Sequence, residues 1–205
     1  FLSNLEKNSE LKNIAIENSP WLLEAQSEKE NKQRISNLFD TKRINLELNK
    51  AQKALEKGQR NDGGWSWFSG GYRSNFFITS HIVSGCGHLQ TMNISENLNA
   101  NTLRKAIQFI DNSMQKWYDS LKNRSISDNF LSYNVTQYLY ARSFFFEQFP
   151  IAEKNKKMFD FCINQAQKYW TEKNLYGQTL IALSLYRSGD KITAEKIITS
   201  RTKKD

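Results

Sequence analysis

Between Thr102 and Asn123 the apolar residues Leu103, Ile107, Ile110, Met114, Trp117 and Leu121 recur at steps of 4, 3, 4, 3 and 4. That spacing sets them on one stripe of a helix, with Lys105, Asp111, Lys116 and Asp119 mostly turned away. The next segment, Asn129 to Phe149, carries Leu131, Val135, Tyr138 and Leu139 and then the run Phe144-Phe145-Phe146. Pro150 stops it, because the residue before a proline is disfavoured in helical geometry. Beyond the proline, Met158, Cys162, Ala166 and Tyr169 form another stripe. Asn174 to Ser188 predicts a helix facing inward with Tyr176, Leu180, Leu183 and Tyr186, ended by Gly189-Asp190. A last short helix, Ile192 to about Arg201, offers Ala194, Ile197 and Ile198. Upstream lie a charged helix from Glu28 to Phe39 and a second from Asn45 to Gln59 with Leu48, Ala51 and Leu55 on its face; Ile78, Ile82, Gly85 and Leu89 mark one more. No stretch alternates with a period of two for long enough to make a strand.

Helices of this length with short connections pack antiparallel as hairpins. Paired hairpins leave two architectures, an open superhelical array or a closed ring, and the lack of a strict sequence repeat favours the ring. The expected fold class is all-α, with helical hairpins arranged as a partial or complete α/α toroid. Residues 1–205 read as a single helical domain, with N-terminal helices in 1–42 and the hairpin region in 43–205.

Composition narrows this picture little. A chain of 205 residues is long enough for one well-buried core, and its two prolines and nine glycines are few for a β-sandwich or barrel. The net charge is +8, yet lysine and arginine are scattered, with short clusters only at Lys154–Lys157 and Lys203–Lys204. Nucleic-acid binders concentrate basic residues along a line of phosphates, so solvated helix faces account for the charge and no nucleic-acid partner is expected. Cys86 and Cys162 allow one disulfide but make no framework. No apolar run approaches the roughly 18–20 residues of a membrane span. The opening Phe1-Leu2-Ser3 reads like an internal cut in a longer chain.

One segment carries a signature. Leu55 to Phe77 reads LEKGQRNDGGWSWFSGGYRSNFF: a helix ends near Gln59, Asn61-Asp62-Gly63-Gly64 makes a tight turn, and Trp65, Trp67 and Phe68 follow at once. Glycine permits positive φ there, and the Gln59 amide and Asp62 carboxylate suit turn N–H groups or a helix start. The pattern Gln-x-x-Asp-Gly-Gly-Trp, formed by Gln59, Asp62, Gly63, Gly64 and Trp65 with Trp67 beyond, resembles the turn motif that recurs in α/α toroids. Triterpene cyclases, prenyltransferase β-subunits and the thioester-bearing domains of complement and the alpha-2-macroglobulins share it. The resemblance implies that the glutamine and aromatic tie one hairpin to the next. It is specific for architecture and nearly silent on chemistry; a Gly-Gly loop beside aromatics also suits a sugar or apolar-ligand pocket.

Further stretches resemble bacterial alpha-2-macroglobulins: LSNLEKNSELKN (Leu2 to Asn13), ENSPWLLEA (Glu17 to Ala25), NKQRISNLFD (Asn31 to Asp40), the GGWSWFSGG turn and ITSHIVSGCGHL (Ile78 to Leu89). They cover roughly the first 90 residues, in family order. The resemblance implies a fragment of a very large secreted or periplasmic protein that traps proteases when a bait region is cut. Expected partners are the other domains of that parent chain and the target proteases. Many members hold a thioester in a Cys-x-Glu-Gln motif, an acyl group shielded from water until exposure lets a nucleophile attack it. No thioester is expected in this chain, because Cys86-Gly87-His88-Leu89-Gln90 puts the glutamine four residues on and leucine where glutamate belongs. Cys86 reads instead as a packing cysteine.

Other chemistry finds little footing. His81, Cys86 and His88, with Cys162, invite a metal reading, but steps of 5 and 2 do not share a helix face and no zinc spacing is present. His81 reads as a hydrogen-bonded interfacial histidine. Carboxylates such as Asp40, Asp62, Asp119, Asp128 and Asp160 stand alone, and Tyr133, Tyr138 and Tyr140 are spaced for packing as much as for catalysis. The expectation is a structural or interaction domain with no catalytic residue, metal or cofactor. The alternative is a stand-alone toroid enzyme acting on a glycan or isoprenoid, resting on Trp65–Phe68 and Tyr133–Tyr140. A basic scaffold for anionic polymers is a weaker third.

Overall fold

The computed structural model describes residues 41–92, 99–121 and 128–202. The helix expected over Glu28–Phe39, and nearly all of the N-terminal region 1–42, lie outside them. The described residues are all-α: seven helices, one short 3-10 turn and a single isolated backbone bridge between Trp65 and Asn75. The chain divides into two compact units, Phe1–Lys53 and Ala54–Asp205. That boundary falls within helix α1, Thr41–Gly58. In the first unit the described stretch of α1 is mostly exposed, Ile44 and Leu46 included, with a surface ion pair between Lys50 and Glu47 at 2.8 Å.

The second unit continues with α2 (Phe76–Thr91), α3 (Ala100–Ser120), α4 (Tyr133–Ser143), α5 (Glu153–Tyr169), a 3-10 turn (Trp170–Glu172), α6 (Leu175–Arg187) and α7 (Lys191–Thr202). Helix α4 packs against both α2 and α6, while α3 and α5 pack on each other and behind α4. Contacts at the ends fix the directions. The rings of Phe77 and Tyr133, at the starts of α2 and α4, lie 6.0 Å apart, and His88 and Phe144, near their ends, lie 5.0 Å apart. Arg187, closing α6, donates to Ser143, closing α4, at 3.1 Å. Helices α2, α4 and α6 are therefore parallel and form one layer. Helix α3 runs against α4, since Arg104 near its start lies over Phe149 beyond the end of α4. It runs with α5, as Lys154 meets Asn112 and Phe161 meets Trp117 and Tyr118. Alternate helices along the chain thus belong to alternate layers.

Between the layers, Val83, Ile110, Val135, Leu139, Met158, Ile181 and Leu185 are fully buried, which is what most stabilises helices of this length. The α3 stripe faces inward as its spacing predicts, with Leu103, Ile107, Ile110 and Met114 buried and Trp117 and Leu121 half-buried. Asp111, expected to be mostly turned away, is instead buried.

Three further expectations shift. Helix α4 ends at Ser143, well before Pro150, because the three phenylalanines part company in a turn. Phe144 goes to His88, Phe145 is buried, and Phe146 meets Phe159 at 5.4 Å. In α6 the buried set is Gln178, Leu180, Ile181, Ala182, Ser184 and Leu185, so Tyr176, Leu183 and Tyr186 face outward. In α2 the buried positions are the small ones, Thr79, Ser80, Val83, Ser84, Cys86 and Gly87, while Ile78, Ile82 and Leu89 flank them half-buried. Gly87 shows why: a Cβ there would lie 2.3 Å from the Phe144 ring. In α7, Ala194 and Ile197 are buried and Ile198 is exposed. Gly189 ends α6 at φ 98°, and Asp190 then caps α7, accepting from the Thr193 N–H at 3.0 Å. That bond holds the Asp190 carboxyl below the usual carboxylate range.

Candidate functional site

The glycine-rich turn forms a clamp between helices. Past α1, Gln59 donates its side-chain amide to the Gly63 carbonyl at 2.9 Å and to the Thr102 carbonyl in α3 at 2.8 Å. Asp62 accepts from the Gly64 N–H at 3.2 Å and from Ser74 Oγ at 2.5 Å, closing the loop on itself. Arg60 reaches the Gly71 and Tyr72 carbonyls at 2.6 and 2.8 Å. Trp65 is buried and joins three elements. Its indole N–H donates to the Leu55 carbonyl of α1 at 2.8 Å, its backbone N–H to Thr79 Oγ1 of α2 at 3.0 Å, and its carbonyl accepts from Asn75 at 2.7 Å. Gln59, Asp62, Gly63, Gly64 and Trp65 therefore converge, their hydrogen bonds going to nearby backbone and to the hydroxyls of Ser74 and Thr79. Trp65→Ala is expected to cost about 3–5 kcal/mol, and Trp65→Phe, which orphans the Leu55 carbonyl, about 1–3 kcal/mol. Urea denaturation measures both.

Trp67, grouped with that turn by the sequence, is elsewhere. It is 56% exposed and belongs to a line of aromatic rings at the surface. Trp67 lies 6.1 Å from Phe77, and Phe77 lies 6.0 Å from Tyr133, which hydrogen-bonds Tyr176. Phe68 sits edge-on to Trp67, and His81, expected at an interface, is exposed and stacked on Phe77 at 6.2 Å. Each layer helix contributes through the same device. Asn75, Ser132 and Asn174 cap α2, α4 and α6 by accepting from the N–H three residues on, and an aromatic follows one or two positions later. The reading of the sequence missed this recurrence of cap and aromatic, Asn-Phe-Phe, Ser-Tyr and Asn-Leu-Tyr, because it is too short and irregular to register as a repeat.

A second polar cluster lies in the core. Asp111 Oδ1 of α3 accepts from Tyr138 Oη and Arg142 Nε of α4, each at 2.9 Å, and all three side chains are buried. Burial pushes the Asp111 carboxyl above its ordinary range, outweighing the charge of Arg142, the Tyr138 hydrogen bond, the Arg142 hydrogen bond and the charge of Lys154. Tyr138 is pushed well up by burial and then by the charge of Asp111. Fully enclosed and paired with one another, though Arg142 Nη1 finds no partner, these groups join the layers and have no approach for a substrate.

Cys86 and Cys162 are both free and buried, in α2 and α5 respectively. Burial raises the Cys86 thiol to about 11 and the Cys162 thiol to about 12, which removes the thiolate that alkylation or metal binding requires. The native protein at about pH 8 is therefore expected to leave both unlabelled by a disulfide reagent such as Ellman's, and to titrate both in denaturant. Among the described residues no group of three His, Cys, Asp or Glu side chains gathers, and no helix is long and apolar enough to cross a membrane. An open cavity of about 270 Å³ is lined by Trp117, Phe130, Leu131, Ser132 and Lys173 among others, a mixed wall with no carboxylate on it.

Comparison with protein-family models, with curated proteins and with solved structures found no match, and so none ties the chain to the alpha-2-macroglobulins.

Proposed function

We propose that this chain is a structural and interaction domain of an alpha-2-macroglobulin-like protease inhibitor, part of an α/α toroid, with partners in the other domains of its parent and in the trapped proteases. One observation carries the architectural half of the reading: parallel helices α2, α4 and α6 in one layer, with the intervening helices α3 and α5 behind them. A hairpin ring is built by that alternation, and the clamp of Gln59 and Trp65 supports it by tying α1, α2 and α3 together. The inhibitor half rests on the ordered sequence stretches from Leu2 to Leu89. The parent is taken to be secreted or periplasmic on the same ground.

The test is to read the gene on both sides of this segment and express its full product with trypsin. The reading expects a much longer chain whose cleavage leaves trypsin active on small chromogenic peptides and blocked from large proteins. A gene product scarcely longer than this chain, or trypsin unhindered on large proteins, overturns it.

The second reading, a toroid enzyme for a glycan or isoprenoid, draws on the line of rings from Trp67 to Tyr133. Release of reducing sugar or of pyrophosphate from such substrates by the purified chain would favour it over the first.

A further inference from the structure

Trp67, Phe77 and Tyr133 follow one another at 6.1 and 6.0 Å, and their planes turn by only 30° and 37° from one ring to the next. His81 lies at 16° to Phe77. Centroids that far apart at so shallow an angle set the rings offset, edge beside edge, and not face on face. They form a shallow platform at the start of α2, α4 and α6, with Trp67, Tyr133 and Tyr176 each half exposed. No lysine, arginine or carboxylate belongs to the platform. The three helices carry no Asp, Glu or Lys, and their two arginines lie at the other end, Arg142 buried against Asp111 and Arg187 over Phe144.

Beneath the platform two polar groups are left without partners. Gln137 is 3% exposed, yet its amide oxygen accepts no hydrogen bond, and Ser80 Oγ is fully buried and likewise unpaired. Phe77 and Tyr133 sit at one level of two parallel helices. Ser80, three residues past Phe77, and Gln137, four past Tyr133, therefore share the next level down. Helical side chains lean toward the N-terminus, so Gln137 points back toward the Tyr133 ring. A buried amide oxygen without a donor is costly, and it marks a place where a donor can arrive.

We propose that this platform binds a neutral oligosaccharide, the C–H faces of its sugar rings lying on Trp67, Phe77 and Tyr133 and one hydroxyl donating to Gln137 Oε1. Half-exposed Tyr133 turns on its χ1 to admit that hydroxyl. The chemistry of the site selects this occupant. A sugar brings apolar faces for the rings and hydroxyls for the amide, and it asks for no charge. A fatty or isoprenoid chain would leave Gln137 unpaired, and an acidic or phosphorylated ligand would find no cation among the rings. A proline-rich peptide docks in grooves, which rings this nearly coplanar do not make. The site needs neither protease trapping nor the breaking of a bond, so it stands apart from both readings above.

The test titrates the whole chain with neutral cello-, chito- and manno-oligosaccharides, followed by tryptophan fluorescence and calorimetry. At least one series is expected to bind, with an affinity that salt leaves unchanged. Trp67→Ala and Tyr133→Ala should each weaken binding at least about tenfold while the melting temperature stays nearly constant, these side chains being half exposed. Gln137→Leu should weaken binding roughly three- to tenfold while the melting temperature holds or rises, because it removes an unpaired polar group from the interior. A fall in melting temperature for Gln137→Leu would show the amide to be satisfied inside the fold and would overturn the site. So would no binding by any of the three series, equal binding by the ring variants, salt-sensitive binding, or preference for a proline-rich peptide. The readings fail separately: sugar bound and recovered uncleaved sinks the enzyme alone, and lost sugar binding leaves trypsin trapping by the parent untouched.

Discussion

Asp111→Ala is expected to destabilise the protein by about 3–5 kcal/mol, more than any surface substitution. The carboxylate is the acceptor for both Tyr138 Oη and Arg142 Nε, and Arg142 is wholly buried. Removing it strands a guanidinium that already leaves Nη1 without a partner, and orphans a phenol as well. At roughly 2–4 °C per kcal/mol for a chain of this size, the melting temperature should fall by about 6–20 °C. The contrast that gives the result meaning is the triple variant Asp111→Leu, Tyr138→Phe, Arg142→Met. It removes every polar member at once, and should recover most of the loss, since a buried ion pair scarcely outdoes apolar packing of the same volume. A triple variant as unstable as Asp111→Ala would show that the cluster itself, and not the stranded charge, holds the layers together.

The same carboxyl sets a pH dependence. Its folded pKa is raised above the unfolded value of about 3.9, so the fold prefers the protonated form. The contribution of Asp111 to stability is full below that unfolded value and is lost as pH rises through the folded one. Denaturant midpoints of the wild type should therefore decline across that interval by an increment absent from Asp111→Ala.

How far the sequence could be read depended on how one-sided each helix is. Helix α3 alternates apolar and charged faces sharply, so Leu103, Ile107, Ile110 and Met114 declared themselves. Helix α6 is apolar almost all round, with Leu175, Tyr176, Leu180, Ile181, Leu183, Leu185 and Tyr186, and any of several stripes fits it. Only the neighbours α4 and α7 decide that Ile181 and Leu185 go in and Tyr176 and Tyr186 stay out. Helix α2 misled for another reason: close helix approach selects small residues, and its buried Ser80, Ser84 and Gly87 leave no hydrophobic signal. Asp111 and Arg142 are 31 residues apart, and no local pattern announces their pairing. In the turn, by contrast, Gln59, Asp62, Gly63, Gly64 and Trp65 are near neighbours in sequence whose roles are mostly local, and they lie together as their residue types suggest. Trp67 escaped because two residues in a loop suffice to reverse a side chain's direction.

Gly63→Ala is the sharper test of that turn. Gly63 has φ 91°, where an L side chain is strained by about 1–3 kcal/mol. A Cβ there would also lie 2.3 Å from the Lys105 carbonyl oxygen and 2.7 Å from its carbon, which are backbone of α3 and cannot swing aside. The turn or α3 must move, and the Gln59 bond to the Thr102 carbonyl, one helical turn from Lys105, moves with it. Strain, clash and a lost clamp together are expected to exceed about 4 kcal/mol, enough to leave a domain of ordinary stability partly unfolded. Two other glycines calibrate the result. Gly70 also has positive φ, 77°, but nothing within 4 Å, so Gly70→Ala should cost only the backbone strain. Gly85 lies within α2 with nothing within 4 Å, and Gly85→Ala should stabilise by about 0.5–1 kcal/mol through helix propensity alone. Urea midpoints falling in the order Gly85→Ala, wild type, Gly70→Ala, Gly63→Ala would establish that the turn is pressed against α3. If Gly63→Ala instead matched Gly70→Ala, the turn would be free of α3, and the clamp between neighbouring hairpins would have to be abandoned.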